Sequence, residues 1–287
     1  MTFAANLGII AGIALGIQWV VFIPSAIFKS ERFYDLTGSL TILFLTSTSL
    51  DVAGASTCPR TIIASSLVAV WALRLGLSLF IRILHVGEDK RFKEARENPK
   101  VFFVFWSLQS VWTFLAGLCV YVSNLSRARC DVALGPAEYV GIAAWAIGWL
   151  AEVVADRQKA NFRANPANKG KWIDCGLWSF SRHPNYVGEI TLWVGLATFC
   201  GCGCEFWWQI LMCAISPAFS AFLLLRVSGV PLQEIEAHRR WGTNPEYLAY
   251  LARTPCMFLI GKGVHSSVMD TAAAGERPPM EYGIVTP

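Results

Sequence analysis

The sequence predicts an all-α, polytopic membrane protein of about seven transmembrane helices. Of its 287 residues, 54% are hydrophobic and only 15% are charged, and the mean hydropathy is +0.46. Soluble domains usually carry about 25% charged residues, so this composition disfavours a water-soluble fold. A lipid-spanning helix needs roughly 20 mainly apolar residues, and the chain contains several such stretches.

Five stretches are long and apolar enough for a comfortable crossing, and two others are shorter or more polar. The five lie near residues 3–23, 61–81, 101–122, 137–155 and 207–227. The other two lie near residues 37–54 and 187–200, between flanks whose charges fit a crossing. We expect one membrane domain over residues 1–262 and a disordered cytoplasmic tail over 263–287, which is rich in Ser, Ala, Gly and Pro.

Basic residues collect in the links after the third and fifth predicted spans, which sets the orientation. With seven spans, this distribution places the N-terminus outside and the C-terminus in the cytoplasm. Arg127 and Arg129, in an outer link, are the main exception. The expected membrane is the endoplasmic reticulum for a eukaryotic source and the inner membrane for a bacterial one.

The basic links account for the net charge of +4, so we expect no nucleic-acid partner. The sequence indicates no particular protein partner.

The nine cysteines show no spacing typical of a zinc site, so no metal is expected. Cys200, Cys202 and Cys204 alternate with glycine in a short outer link. They could include a disulfide, or they could be unpaired and act as small hydrophobic residues.

Four polar residues fall inside predicted spans, where an ionisable group is costly. They are Asp51, Arg74, Gln109 and Glu152. Such residues usually face the interior of a helical bundle, so we expect Arg74 and Gln109 to line a substrate cavity. The alternative for Arg74 is that its side chain extends to the inner membrane surface.

The link between the fifth and sixth predicted spans carries the most informative polar pattern. If the fifth helix continues past the membrane surface, Glu152, Asp156, Lys159 and Arg163 share one helix face. Acidic groups there can accept from ribose hydroxyls or an amide, while Lys and Arg can bind phosphates. The alternative is a solvated helix end whose charges pair with each other.

Further along this link, residues 181–186 read SRHPNY. Proline suits the first turn of a helix, so a helix is expected to begin at His183-Pro184. Its free backbone N–H groups and Arg182 would favour an anion. Asn185 and Glu189 lie one turn apart and could bind an amide or a sugar. A capped helix start with interfacial anchors would explain Arg182, but not an acidic residue entering a span.

The chain is similar to the C-terminal domain of the steroid 5-alpha-reductase superfamily, and specifically to its poorly characterised membrane proteins. The similarity covers about residues 33–256. Its matching stretches are FYDLTGSLT at 33–41, Arg82 with GEDKRF at 87–92, PANKG at 166–170, GLW at 176–178, SRHPNY at 181–186 with Gly188-Glu189, and VSGVPL at 227–232. This ordered set is much more specific than a lone His-Pro pair.

The resemblance implies a seven-helix membrane fold that binds NADPH on its cytoplasmic side. It also implies reduction of a carbon–carbon double bond in a steroid, sterol or other lipid that enters from the bilayer. Asp156 and Arg163 match the family's acidic and basic cofactor positions, and Asn185 and Glu189 match its Asn and Glu. The expected cofactor-binding residues are Glu152, Asp156, Lys159, Arg163, Lys171, Arg182, His183, Asn185, Tyr186 and Glu189.

Two features depart from the steroid reductases. Glu152 stands where they carry Asn, and no motif matches their early substrate-binding residues. Tyr34, Asp35 and Asp51 are therefore candidate catalytic residues on expected burial alone.

Two alternatives stay open. Isoprenylcysteine and phospholipid methyltransferases share an Arg-His-Pro-x-Tyr turn and bind S-adenosylmethionine there. They commonly differ at the position of Asn185 and often have adjacent glutamates where this chain has the separated Glu234 and Glu236, which favours a reductase. The other alternative is a non-catalytic sterol-binding membrane protein, because a fold does not fix a function.

Overall fold

The computed structural model describes residues 2–55, 58–126 and 130–257. The predicted tail over 263–287 lies outside these residues. The described part is helical, and its α-helices are α1 (Phe3–Ile27), α2 (Tyr34–Ala53), α3 (Pro59–Val86), α4 (Pro99–Ser126), α5 (Pro136–Ala164), α6 (Pro184–Cys202), α7 (Trp207–Phe222), α8 (Val230–Trp241) and α9 (Pro245–Arg253). A π-helical turn, Leu223–Val227, follows α7. The predicted all-α, polytopic membrane fold is confirmed.

Within the described residues, six segments are long and apolar enough to cross a membrane. They are α1 to α5 and the segment Trp207–Trp241, which contains α7, the π-helical turn and α8. The predicted span near 187–200 does form a helix, α6, with 19 residues, but it is not among the six. Its stretch is interrupted by small and polar residues, as the sequence had indicated.

Helix boundaries follow local chemistry. Pro59 occupies the first turn of α3, where its missing N–H costs nothing. Gly54 ends α2 with φ of 59°, a left-handed conformation that glycine adopts without steric cost. At α9, the Asn244 side chain accepts hydrogen bonds from the backbone N–H groups of Glu246 and Tyr247.

The chain forms two compact units. Unit 1 comprises Met1–Ala146 with Ile190–Phe222, and unit 2 comprises Ile147–Glu189 with Leu223–Pro287. Both α5 and α6 contribute residues to each unit. Whether residues 1–262 fold as one domain stays a prediction.

The core of unit 1 contains many buried polar groups, and several of them form hydrogen bonds between helices. Gln18 of α1 donates to Thr41 Oγ1 of α2 at 2.8 Å, and both residues are buried. The Asn124 amide of α4 donates to Ser49 at 2.8 Å and to Ser65 at 3.2 Å. These bonds explain why the hydroxyl-rich second span avoids lipid on one face.

Two long-range links in unit 1 join the start of α3 to the start of α5 and the segment before it. Cys58 and Cys130 form a disulfide. Close by in sequence, Arg60 Nε donates to Glu138 Oε1 at 2.5 Å, and both residues are 4% exposed. The Arg60 guanidinium also donates to the carbonyl oxygens of Val132 and Ala133. The charge of this buried arginine is therefore paired and its donors are used.

In unit 1, α5 and α6 approach at glycines. A Cβ added to Gly195 would lie 2.5 Å from the backbone nitrogen of Trp145 and 2.6 Å from the backbone oxygen of Gly141. We expect Gly195→Ala to lower the free energy of unfolding by about 1–3 kcal/mol, because the two backbones must separate to admit a methyl group. Thermal unfolding of the purified protein in detergent measures the effect.

The matched control is Gly12→Ala in α1, where an added Cβ meets no atom within 4 Å. This substitution should leave stability unchanged or raise it slightly, since alanine favours helix over glycine. Equal melting temperatures for Gly195→Ala and the wild type would contradict the close approach.

Candidate functional site

The polar face predicted on the fifth helix is present, because α5 runs unbroken to Ala164 before Asn165-Pro166 ends it. Glu152 is buried, Asp156 and Lys159 are half-buried, and Arg163 is exposed. The face therefore changes from acidic and buried to basic and exposed along the helix. This gradient is what a cofactor with one apolar and one phosphorylated end would require.

Lys159 is anchored at the middle of this face. Its Nζ donates to Gln233 Oε1 at 3.2 Å and lies 4.7 Å from the centre of the Trp178 ring, a cation–π contact. Trp178 is itself buried and donates to the Ala155 carbonyl at 3.1 Å. The ammonium group is thus held at a fixed position in unit 2.

The predicted helix start at His183-Pro184 is also present, since α6 begins at Pro184. Here the structure reveals a buried cluster around Glu234 of α8. Arg182 Nη1 donates to Glu234 Oε2 at 2.7 Å, and His183 Nε2 lies 2.7 Å from Glu234 Oε1. All three residues are at most 8% exposed.

The charges of this cluster are balanced internally. Burial lowers the pKa of His183, and the hydrogen bond with Glu234 opposes this shift only in part. At neutral pH His183 is therefore uncharged, and the positive charge of Arg182 compensates Glu234. Arg182 and His183 were predicted to bind an anionic cofactor; in the structure both contact Glu234 and support the α6 start, and their cofactor role stays a prediction.

Aromatic side chains enclose the cluster. Tyr186 stacks on His183 with ring centres 5.4 Å apart, and Gln233 donates to the Tyr186 hydroxyl. Tyr250 donates to the Trp178 carbonyl at 2.9 Å. Burial raises the pKa of Tyr247 to about 12, with Glu234 adding to the shift, so this phenol keeps its proton.

One group of possible metal ligands lies at the same place. The ligand atoms of His183, Glu234 and Cys256 are all within 4.8 Å of one another. However, the Arg182 guanidinium already pairs with the carboxylate, and its positive charge opposes a cation there. Burial also raises the pKa of the Cys256 thiol to about 11, which disfavours the thiolate that a metal needs.

Asn185 and Glu189, on the first two turns of α6, are the polar residues best placed to bind a ligand. Asn185 Oδ1 is buried, and no residue that the structure describes donates to it. Glu189 is half-buried. A Cβ on Gly188 would lie 2.6 Å from the Glu152 nitrogen, so α5 and α6 touch here through their backbones. This contact brings Glu152 close to the α6 start.

The link between α5 and α6 also carries exposed basic residues. Lys169 and Lys171 are exposed and flank Gly170, whose φ of 82° makes a turn that favours glycine. The Gly170 carbonyl accepts from Trp241 Nε1 at 2.6 Å. With Arg163, these lysines form a basic surface on unit 2.

The five remaining predicted residues lie in unit 1, and three of them meet at one end of α2. Tyr34 donates to the Phe105 carbonyl at 2.8 Å, while the Gln109 amide donates to the Tyr34 carbonyl. Asp35 pairs with Arg91 at 3.5 Å and with Arg82 at 3.6 Å. These contacts give Tyr34, Asp35 and Gln109 packing and bridging roles.

The other two lie apart from that group. Asp51 is at the opposite end of α2 and is exposed, so the expectation of burial that suggested it is wrong. Its position in the last turn of the helix lets the carboxylate reach outward instead of inward. Arg74 is half-buried in α3 and takes part in an interaction of its own.

A family profile described as "Protein of unknown function (DUF1295)" matches residues 21–254. The chain belongs to this family. The match includes all of α2 to α8 and therefore every residue of the candidate site.

Among curated proteins, this DUF1295 member is similar to a "Probable O-methyltransferase ustE" of Ustilaginoidea virens. The two are 29% identical over 120 residues, which cover 35% of this chain and 42% of that protein. The chain thus matches less than half the length of the relative. No solved structure gives a significant match to the DUF1295 chain.

Sequence reasoning named Glu234 only in the comparison with methyltransferases, and it did not predict the contacts of this residue or its aromatic surroundings. A signal was present, because Val230 and Glu234 are one turn apart and both are buried in α8. A carboxylate on the buried face of an amphipathic helix needs a basic partner. Which arginine supplies it cannot be read from a separation of 52 residues.

Proposed function

We propose that the chain is a membrane-bound, NADPH-dependent reductase acting on a carbon–carbon double bond of a steroid, sterol or other lipophilic compound. The observation that supports this most directly is the buried Asn185 carbonyl oxygen, which has no donor from the described residues. A buried acceptor without a partner costs about 1–3 kcal/mol, so such an atom in a site calls for a ligand donor.

The residues present fit this cofactor. The carboxamide of a nicotinamide offers N–H donors to Asn185, and Glu189 can accept from the same group. Asp156 can accept from ribose hydroxyls, while Arg163 and Lys171 are exposed and basic enough to bind phosphates. NADPH bound there would supply a hydride to the lipophilic substrate. The role of the protein would be to orient both partners and exclude water.

A second candidate is methyl transfer from S-adenosylmethionine to an oxygen of a lipophilic substrate. The description of the relative favours it. So does the cluster geometry, since Glu234 alone bonds to both Arg182 Nη1 and His183 Nε2, and these two contacts need no adjacent second glutamate. The separation of Glu234 and Glu236 therefore counts less against a methyltransferase than the sequence suggested.

The proposed topology has the N-terminus outside and the basic links in the cytoplasm, where both cofactors are available. The positive-inside rule supports this for the links that carry Lys29, Arg96 and Arg163. The Cys58–Cys130 disulfide supports it independently, because disulfides persist in oxidising compartments outside the cytosol. In a eukaryote, the endoplasmic reticulum provides such a compartment.

Calorimetric titration of the purified protein with NADPH and with S-adenosylmethionine tests the proposal. We expect the wild type to bind NADPH, and Asn185→Leu to bind it roughly 5- to 150-fold more weakly, because a buried hydrogen bond is worth about 1–3 kcal/mol. Leucine keeps the branched shape of asparagine but removes the amide.

Arg157→Gln is the control, since Arg157 is an exposed arginine of α5 that lies outside the shared polar face. Its affinity for NADPH should stay close to that of the wild type. Binding of S-adenosylmethionine instead of NADPH would favour the methyltransferase. If neither cofactor binds while a sterol does, the protein is a non-catalytic sterol-binding protein and both proposals are wrong.

A further inference from the structure

Four buried cysteines converge in unit 1. They are Cys119 of α4, Cys200 of α6, Cys204 of the α6–α7 turn and Cys213 of α7. The Cys204 and Cys213 sulfurs are 3.9 Å apart. The Cys213 thiol lies 3.7 Å from the Cys119 carbonyl oxygen, and the Cys204 thiol lies 3.4 Å from the Cys200 carbonyl oxygen.

This group lies at the same end of unit 1 as the Cys58–Cys130 disulfide. The hydroxyl of Ser126, the last residue of α4, donates to the Gly203 carbonyl at 3.3 Å. A Cβ on Gly203 would lie 3.5 Å from Arg60 Cδ, two residues after Cys58. The α6–α7 turn is thus beside the segments that carry the disulfide.

Since a disulfide is stable only under oxidising conditions, the neighbouring thiols experience the same conditions. We propose that Cys204 and Cys213 are a redox-active dithiol, which closes to a second disulfide by exchange with a small-molecule or enzyme disulfide. This would be a modification site separate from the cofactor site.

The geometry suits the exchange. The two sulfurs need to approach from 3.9 Å to roughly 2.05 Å. Cys204 lies in a short turn between two helices, where a χ1 rotation and a small shift of the turn can supply this movement. The adjacent Glu205 and Phe206 are exposed, which gives a reagent access to the turn.

Cys204 is the expected attacking group. The contact with the Cys213 sulfur lowers the pKa of Cys204, although burial acts in the opposite direction. A larger thiolate fraction makes a cysteine more reactive in exchange. The Cys204 thiolate attacks one sulfur of the incoming disulfide and releases the first thiol. The Cys213 sulfur then attacks Cys204 Sγ, forms the intramolecular bond and releases the second thiol. The protons of the Cys204 and Cys213 thiols are transferred to the two released thiols.

The experiment uses the full chain, purified in detergent and treated with the apolar disulfide 4,4′-dithiodipyridine. Remaining thiols are alkylated, and linked peptides are identified by mass spectrometry without reduction. We expect Cys204 and Cys213 of the treated wild type to escape alkylation and to yield a peptide pair joined through these two residues. A reducing agent should restore both thiols.

Cys204→Ala and Cys213→Ala should each abolish this linked pair, whereas Cys175→Ala should retain it because Cys175 is an exposed cysteine of unit 2. Failure of a variant to fold does not affect the result for wild type, where the linkage is read directly. The proposal is overturned if Cys204 and Cys213 both stay alkylatable, or if Cys213 is joined instead to Cys119, Cys200 or Cys202.

Discussion

Replacing Glu234 with Gln is expected to lower the free energy of unfolding by about 3–5 kcal/mol, the usual cost of removing one partner of a buried ion pair. The carboxylate takes hydrogen bonds from both Arg182 and His183, and the three side chains are buried. Without the negative charge, Arg182 is a buried and uncompensated cation. Thermal and denaturant unfolding in detergent measure the loss.

Glu236→Gln is the matched control, two residues further along α8. Glu236 pairs with Arg240 one turn away, and both side chains are about half-exposed. Removing such a surface pair changes stability by only about 0.3–0.5 kcal/mol. Similar losses for the two variants would show that the Glu234 cluster does not stabilise unit 2 as described.

The second large effect is expected for Glu138→Leu in unit 1. Glu138 is the carboxylate partner of the buried Arg60 and also accepts from the Gly135 N–H. Its removal leaves the Arg60 guanidinium with carbonyl acceptors but no counter-charge. We expect the free energy of unfolding to fall by about 3–5 kcal/mol.

Glu97→Gln is a suitable comparison, because Glu97 pairs with Lys29 while both side chains remain more than half-exposed. That variant should unfold at the wild-type temperature, since solvent screens an exposed pair. Thermal unfolding of both variants under non-reducing conditions keeps the Cys58–Cys130 disulfide intact and isolates the ion pair. A wild-type melting temperature for Glu138→Leu would rule out the stabilising role.

Local pattern was sufficient to predict the helices and one face of the site. Apolar stretches placed the seven expected spans at observed helices, and α5 continues to Ala164, which was the condition for Glu152, Asp156, Lys159 and Arg163 to share one face. Proline predicted where α6 begins. These features depend on residues close together in the sequence, where helical periodicity is decisive.

The missed features all depend on contacts between distant residues. Cys58 and Cys130 are 72 positions apart, and nothing in their spacing distinguishes them from the other seven cysteines. The contacts of Arg182 and His183 with Glu234 were not predicted, because they join residues more than 50 positions apart. Asp51 was judged by hydropathy alone, which does not reveal which way a side chain at a helix end points.

The length of α5 allows one helix to contact both the lipid bilayer and the surrounding water. Its 29 residues extend about 43 Å at roughly 1.5 Å per residue, while the hydrocarbon layer is about 30 Å thick. The helix is therefore longer than the hydrocarbon layer is thick. The polar residues from Asp156 to Arg163 lie on the part that extends beyond this layer into water. A lipid-soluble compound could reach this helix through the bilayer, and a water-soluble compound could reach it through the aqueous phase. The thickness of the surrounding bilayer would then determine how many turns of α5 between Asp156 and Arg163 are exposed to water.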